Sequence, residues 1–247
     1  MTFHDLHRPG DPLLLPNAWD YGSAAILAAH GFPAVGTTSL GVAAVYGKPD
    51  AAGATKAETL ALARTLCTLG VHVTVDIEGG FSDSAAEVGE LVQELAAMGV
   101  AGVNLEDGRP DGTLRDVGLQ REILAAALGH GVFVNARTDT HWLGTGDTFS
   151  RLDAYADADG IFVPGVSDLA EIAKIVSATA LPVNVLYQPS GPSLDELASV
   201  GVARVSTGSL LYRASVQAAL SAALAVQGKA AVGVPSYADI VRLLPEA

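Results

Sequence analysis

The ten residues LGVHVTVDIE, 69–78, place a glycine after a helix-like stretch, then a run of strand character that ends in carboxylates. Glycine suits the left-handed position that ends a helix. A Val- and Ile-rich run with weak alternation is what a strand covered on both faces requires. The same phrase recurs as HGFPAVGTTS (30–39), MGVAGVNLED (98–107), HGVFVNARTD (130–139) and VGVARVSTGS (200–209). ADGIFVPG (158–165) and LPVNVLY (181–187) are close variants, and LLLPNAWD (13–20) begins the series, which gives eight strand candidates.

The intervening segments have helical period. In 85–98 the apolar residues Val88, Leu91, Val92, Leu95 and Met98 fall on one stripe, and Glu87, Glu90 and Glu94 occupy the remainder. Comparable helices are predicted at 56–69, 117–129, 168–178, 193–199 and 212–227. Eightfold strand–helix alternation predicts an α/β fold, a closed (β/α)8 TIM barrel of parallel strands with surrounding helices. The competing arrangement is a doubly wound open sheet. Its G-x-G-x-x-G fingerprint is missing after the first strand, where the turn runs Asn17-Ala18-Trp19-Asp20-Tyr21-Gly22. One domain over residues 1–247 is expected, with 228–247 as a C-terminal extension.

With 49% hydrophobic residues, the chain has the material for a sizeable core. A formal charge of −13 disfavours nucleic acid as a partner. It does not exclude a small anion, because a local cation reverses the potential inside a pocket. The single cysteine, Cys67, allows no internal disulfide and falls within a predicted helix. The polar start MTFHDLHRPG and the lack of a long apolar run predict a cytoplasmic protein with no membrane partner.

In a TIM barrel the chemistry sits at the C-terminal ends of the strands. Those ends carry Asn17, Trp19 and Asp20; Thr37, Thr38 and Ser39, with Asp50 further along; Asp76 and Glu78; Glu106 and Asp107; Arg137 and Asp139; Asn184; and Thr207 and Ser209. Asp76 and Glu78 are two apart, which on a strand puts both on one side. Asp76, Glu78, Glu106 and Asp50 form a candidate oxygen-donor set for Mg²⁺, or Mn²⁺, since no paired histidines or cysteines accompany them. Arg137 in an acid-lined mouth is a candidate anion binder, and Asp83 and Asp168 read as helix caps. None of the four lysines lies on a predicted strand end, which disfavours Schiff-base chemistry.

Taken together, PNAWDYGSA (16–24), GFPAVGTTSLGVA (31–43), GKPD (47–50), VDIEGGF (75–81), GVNLEDG (102–108), VNARTD (134–139), IFVPG (161–165), PVNVL (182–186) and RVSTGSLLYRA (204–214) resemble the isocitrate lyase/phosphoenolpyruvate mutase superfamily, in family order. The resemblance implies a Mg²⁺-dependent lyase or decarboxylase that cleaves a C–C bond of a small 2-oxo or 2-hydroxy carboxylate through an enolate. It implies that Asp76 holds the metal directly and that Asp50, Glu78 and Glu106 act through water. Thr38, Ser39, Leu40, Asp76, Arg137 and Asn184 are the expected substrate contacts, and Arg137, Asp50 and Glu106 the expected catalytic residues. The usual aspartate at position 78 is here a glutamate. The Lys-Lys-Cys-Gly-His segment of the lyases is replaced by the short loop 108–116, which has no cysteine, histidine or lysine. P–C bond chemistry on phosphonopyruvate or phosphoenolpyruvate, and a non-catalytic 2-oxo acid binding protein, are the alternatives. The resemblance also implies a homo-oligomer, dimer or tetramer.

Overall fold

The computed structural model describes residues 1–245. Its strands are β1 (Leu13–Leu15), β2 (Asn17–Ala18), β3 (Ala34–Thr37), β4 (His72–Asp76), β5 (Gly102–Glu106), β6 (Phe133–Arg137), β7 (Gly160–Val163), β8 (Val183–Leu186) and β9 (Arg204–Ser206). They form one sheet in the order β1-β9-β8-β7-β6-β5-β4-β3-β2, with every pairing parallel. The two ends of that order are consecutive in sequence, so the sheet closes on itself. All eight predicted strands are present, and the first is split at Pro16. Proline has no N–H to give to a ladder, so β1 pairs only with β9 and β2 only with β3.

Asn17 stitches that seam. Its Oδ1 accepts from the backbone N–H of Thr207 (3.0 Å) and Gly208 (2.9 Å), and its Nδ2 donates to the Thr37 carbonyl (2.7 Å). A Cβ at residue 36 would lie 2.7 Å from Asn17 Nδ2, so glycine is required there.

Six helices fall where the apolar period placed them: α3 (Lys56–Leu66), α4 (Ala85–Ala97), α5 (Val117–Ala127), α8 (Leu169–Ser177), α9 (Leu194–Ser199) and α10 (Leu210–Val226). Five others were not anticipated: α1 (Tyr21–Ala29), α2 (Ser39–Tyr46), α6 (Thr140–Leu143), α7 (Thr148–Ala154) and α11 (Tyr237–Val241). α1 and α2 are apolar nearly throughout and show no stripe, and the other three, at four to seven residues, show too little of a period to read. Asp168 caps α8 as expected, accepting from Glu171 N–H at 2.8 Å. Asp83 does not cap α4. Ser84 holds that position, and Asp83 instead binds Arg109 and Arg115.

Val73, Val75 and Ile77 turn outward and share a core with Val88, Leu91, Val92 and Leu95 of α4. A second cluster of Phe3, Leu13, Leu15, Ala34 and Phe133 fills the barrel at the start of its strands. Above this plug the interior becomes polar: Thr74, Asn104, Asn135, Asn184, Arg204 and Ser206 are all buried. An apolar floor and a polar interior leave the opposite end of the barrel as the place where charge accumulates.

Candidate active site

At the C-terminal ends of the strands a cavity of about 110 Å³ is lined by four carboxylates, Asp50, Asp76, Glu106 and Asp139, and by the guanidiniums of Arg109 and Arg137. Thr38, Ser39 and Leu40 line the same cavity, as does Tyr237. Of the expected site residues, Asp50, Asp76, Glu106, Arg137, Thr38, Ser39 and Leu40 are therefore brought together.

Arg137 stands at the centre of the charges. Its Nη1 is 2.8 Å from Glu106 Oε2 and 4.0 Å from Asp76 Oδ2. Its Nε donates to Asp139 Oδ1 at 2.7 Å and its Nη2 to Asp139 Oδ2 at 3.2 Å. The two-point grip fixes the plane of the guanidinium. Asp139 is fixed in turn: its backbone N–H donates to Asp107 Oδ1 at 2.8 Å. Asp107 is fully buried and points away from the cavity, where Arg151 Nη1 (2.8 Å) and the Tyr155 hydroxyl (2.9 Å) bind its Oδ2. A relay of Asp107, Asp139 and Arg137 thus aims one cation into the mouth. Gly108 is part of this arrangement, because a Cβ there would collide with Asp139 Oδ2.

Burial raises the carboxyls of Asp76 and Glu106 above their usual range, against the opposing pull of Arg137. Asp139 is raised by burial as well, although the same arginine lowers it. Burial alone would loosen the proton of Arg137, but Asp139, Glu106 and Asp76 more than reverse this and hold it charged.

Two carboxylate oxygens in this cluster, Asp76 Oδ1 and Asp50 Oδ1, are buried and lack any hydrogen-bond partner. Buried anionic oxygens left unpaired are costly, and a cation between them would remove that cost. Among the described residues no three acids or histidines form a ready-made metal cage. A divalent ion here would take few protein ligands, a pattern suited to Mg²⁺, which keeps waters and completes its shell with substrate oxygens. The donor set fits the expected ion in that form.

The cavity also has an anion-binding wall. The N-cap residue of α2, Thr38, makes no side-chain cap, so the first N–H groups of the helix are free of that partner. Free N–H groups at a helix start, together with the helix dipole, favour a carboxylate. Residues 38–40, expected as substrate contacts, form this helix start.

Two expected residues lie elsewhere. Glu78 does not line the cavity. The strand ends at Asp76 and Glu78 has a φ of 51°, so the two-residue alternation does not extend to it. Its carboxylate accepts from Gly53 N–H (2.8 Å) and Thr55 Oγ1 (3.0 Å), and burial lifts it to about 7. Asn184 is also outside the cavity. Strand β8 runs two residues further, and Leu186 takes the position at the mouth. Asn184 sits a layer deeper, accepting from Ser206 Oγ at 3.1 Å.

Several residues at the site carried no signal in the sequence. Tyr237 and Trp142 come from α11 and α6, and Phe162 lies under the arginine with Arg137 Cζ 5.6 Å from its ring centre. Asp139 was visible only as a strand-end acid.

Fold and site together define a TIM barrel that presents acids, one fixed arginine and an open helix start to a small cavity. The chain belongs to the phosphoenolpyruvate phosphomutase family, which matches residues 3–227, and so to the isocitrate lyase/phosphoenolpyruvate mutase superfamily. An uncharacterised protein of Mycobacterium tuberculosis is 43% identical over 233 residues, covering 92% of this chain and 89% of that one. The oxaloacetate decarboxylase of Pseudomonas entomophila is 31% identical over 236 residues, covering 88% and 81%. Phosphonopyruvate hydrolase, solved as a complex with oxalate and Mg²⁺, shares the fold at a TM-score of 0.79 and 23% identity, covering 98% and 95%.

Proposed function

We propose that the protein is a Mg²⁺-dependent enzyme that cleaves a C–C bond of a small 2-oxo carboxylate, with decarboxylation of a 3-carboxy-2-oxo acid such as oxaloacetate as the leading reaction. The observation that carries this reading is the convergence, in one cavity, of the unpartnered Asp76 and Asp50 oxygens, the clamped Arg137 and the open start of α2. The likeness to an oxaloacetate decarboxylase over 88% of the chain supports it.

Asp76 would hold the ion, with Asp50 and Glu106 binding its waters and Glu78 one step further out. The bound ion would supply Lewis-acid polarisation of the 2-oxo group. The start of α2, with Thr38 and Ser39, binds the carboxylate next to that carbonyl. The bond between C3 and the leaving carboxylate then breaks, CO₂ departs, and the electron pair moves into the carbonyl to give an enolate. Arg137 faces the charge that develops on oxygen, already oriented by Asp139, so little reorganisation is needed during the reaction. A proton from solvent returns to C3 and yields the 2-oxo acid product. Decarboxylation is preferred to retro-aldol cleavage because loop 108–116 carries no cysteine, histidine or lysine to act as a positioned donor.

We also propose a homo-oligomer. Helix α10 is 17 residues long yet has no fully buried residue, and Leu220 and Val226 are exposed on it. Light scattering reads the mass directly.

The test of the reaction is a panel of 2-oxo and 2-hydroxy carboxylates, with phosphonopyruvate included, assayed with Mg²⁺ and with EDTA. Pyruvate and CO₂ from oxaloacetate, lost with EDTA, is the expected result. Phosphate release from phosphonopyruvate would move the assignment to P–C chemistry. Binding with no product from any member would make the chain a binding protein.

A further inference from the structure

The segment after α10 returns across the mouth of the barrel. Gln217 Nε2 donates to the Val232 carbonyl at 2.6 Å, and Arg213 Nη1 donates to the Pro235 carbonyl at 2.8 Å. Ser236 and Asp239 then form a capping box that starts α11, and Ile240 of that helix is buried. These ties deliver Tyr237 into the cavity that holds Asp76, Glu106 and Arg137. The Tyr237 hydroxyl donates to Asp50 Oδ2 at 2.7 Å. The Trp142 ring meets the Tyr237 ring edge to face, with centroids 5.2 Å apart and planes at 88°.

Resting on the function proposed above, we infer that Tyr237 is a specificity-determining residue, which limits the bound acid to a short chain and aims Asp50 at it. The hydroxyl occupies Asp50 Oδ2, so the carboxylate presents its other oxygen, Oδ1, which has no partner. The ring, held between the Asp50 bond and Trp142, is a fixed part of the cavity wall. A cavity near 110 Å³ is smaller than the roughly 150 Å³ that takes up a benzene-sized molecule. That scale suits oxalate or oxaloacetate and leaves little room for further methylenes. The two roles separate by substitution: Tyr237→Phe keeps the ring and loses the bond, and Tyr237→Ala loses both.

The experiment is calorimetry with Mg²⁺ present, using oxalate as the short probe and 2-oxoadipate as the long one, on variants first checked for an intact fold by circular dichroism. The wild type is expected to prefer oxalate. Tyr237→Ala should shift the ratio of the two affinities toward 2-oxoadipate by about tenfold or more, the scale of one buried apolar group. Tyr237→Phe should preserve the ratio and weaken both ligands by roughly tenfold, the scale of one hydrogen bond to a charged group. Trp142→Ala should relax the ratio in the same direction as Tyr237→Ala, since it removes the brace. A wild-type ratio in both Tyr237→Ala and Trp142→Ala, with wild-type binding intact, overturns this assignment alone. Absence of Mg²⁺-dependent binding of either probe by the wild type overturns the underlying function and this inference with it.

Discussion

Replacing Arg137 by methionine removes the one cation clamped among Asp139, Glu106 and Asp76, and the loss has a calculable size. At 2.8 Å from Glu106, and with an effective dielectric of about 20, the gross attraction is roughly 6 kcal/mol. Much of that is offset by the cost of burying the ions. The net effect of deleting one partner of a buried pair is about 3–5 kcal/mol. For a chain of this size that is a fall in melting temperature on the order of 10 °C. The penalty must also depend on pH. Burial already raises Asp76, Glu106 and Asp139, and Arg137 pulls each of them down. Without the arginine they rise further. A carboxyl raised in the folded state binds more protons than in the unfolded chain, so stability falls as pH climbs above about 4, the ordinary carboxylate value. Thermal melts of wild type and Arg137→Met in chelator, at pH 8 and pH 5, should therefore show a large deficit at pH 8 that shrinks at pH 5. A deficit below about 2 °C at pH 8, or one equal at both values, would refute the electrostatic account.

Two further outcomes follow from other parts of the molecule. His7 stacks on Phe133 at 4.3 Å, and burial, then Arg204, lowers its ring to about 3. The unfolded chain takes up the proton near 6.5 and the folded one does not, so stability is complete above 6.5 and is lost as pH falls toward 3. The loss should reach about 3 kcal/mol by pH 4.5, and denaturant titrations of His7→Phe should show a flatter profile over that window. Gly108→Ala would push Asp139 away and misaim Arg137. Turnover of the substrate found by the panel should drop by about tenfold to a hundredfold in kcat/KM, while the melting temperature falls less than in Arg137→Met because Glu106 still pairs the arginine; unchanged turnover would remove Asp139 from the positioning relay.

The sequence made the barrel legible because its strands obey one local rule, a glycine and then a doubly covered apolar run, and that rule survives even at Pro16. The mouth was legible to the extent that strand ends define it: Asp76, Glu106 and Arg137 each close a strand and meet in the cavity. The rule failed one step beyond a strand. Glu78 has a left-handed backbone, so counting by twos from Asp76 put it on the wrong side. It failed one step short in β8, where Leu186 rather than Asn184 reaches the mouth. Tyr237 and Trp142 could not be placed by any local pattern. Trp142 sits on a four-residue helix after β6, and the position of Tyr237 depends on a chain reversal after α10 that is held by hydrogen bonds to the Val232 and Pro235 carbonyls; backbone carbonyls carry no sequence signature.

The central claim is that one divalent ion, gripped by the residue 76 carboxylate, joins Arg137 in holding a small 2-oxo acid. Calorimetric titration of oxalate into the wild type and into Asp76→Asn, with and without Mg²⁺, tests it most directly. The account predicts binding by the wild type that requires Mg²⁺ and is abolished by the substitution. Equal oxalate affinity in the two proteins, or wild-type binding indifferent to Mg²⁺, would contradict it.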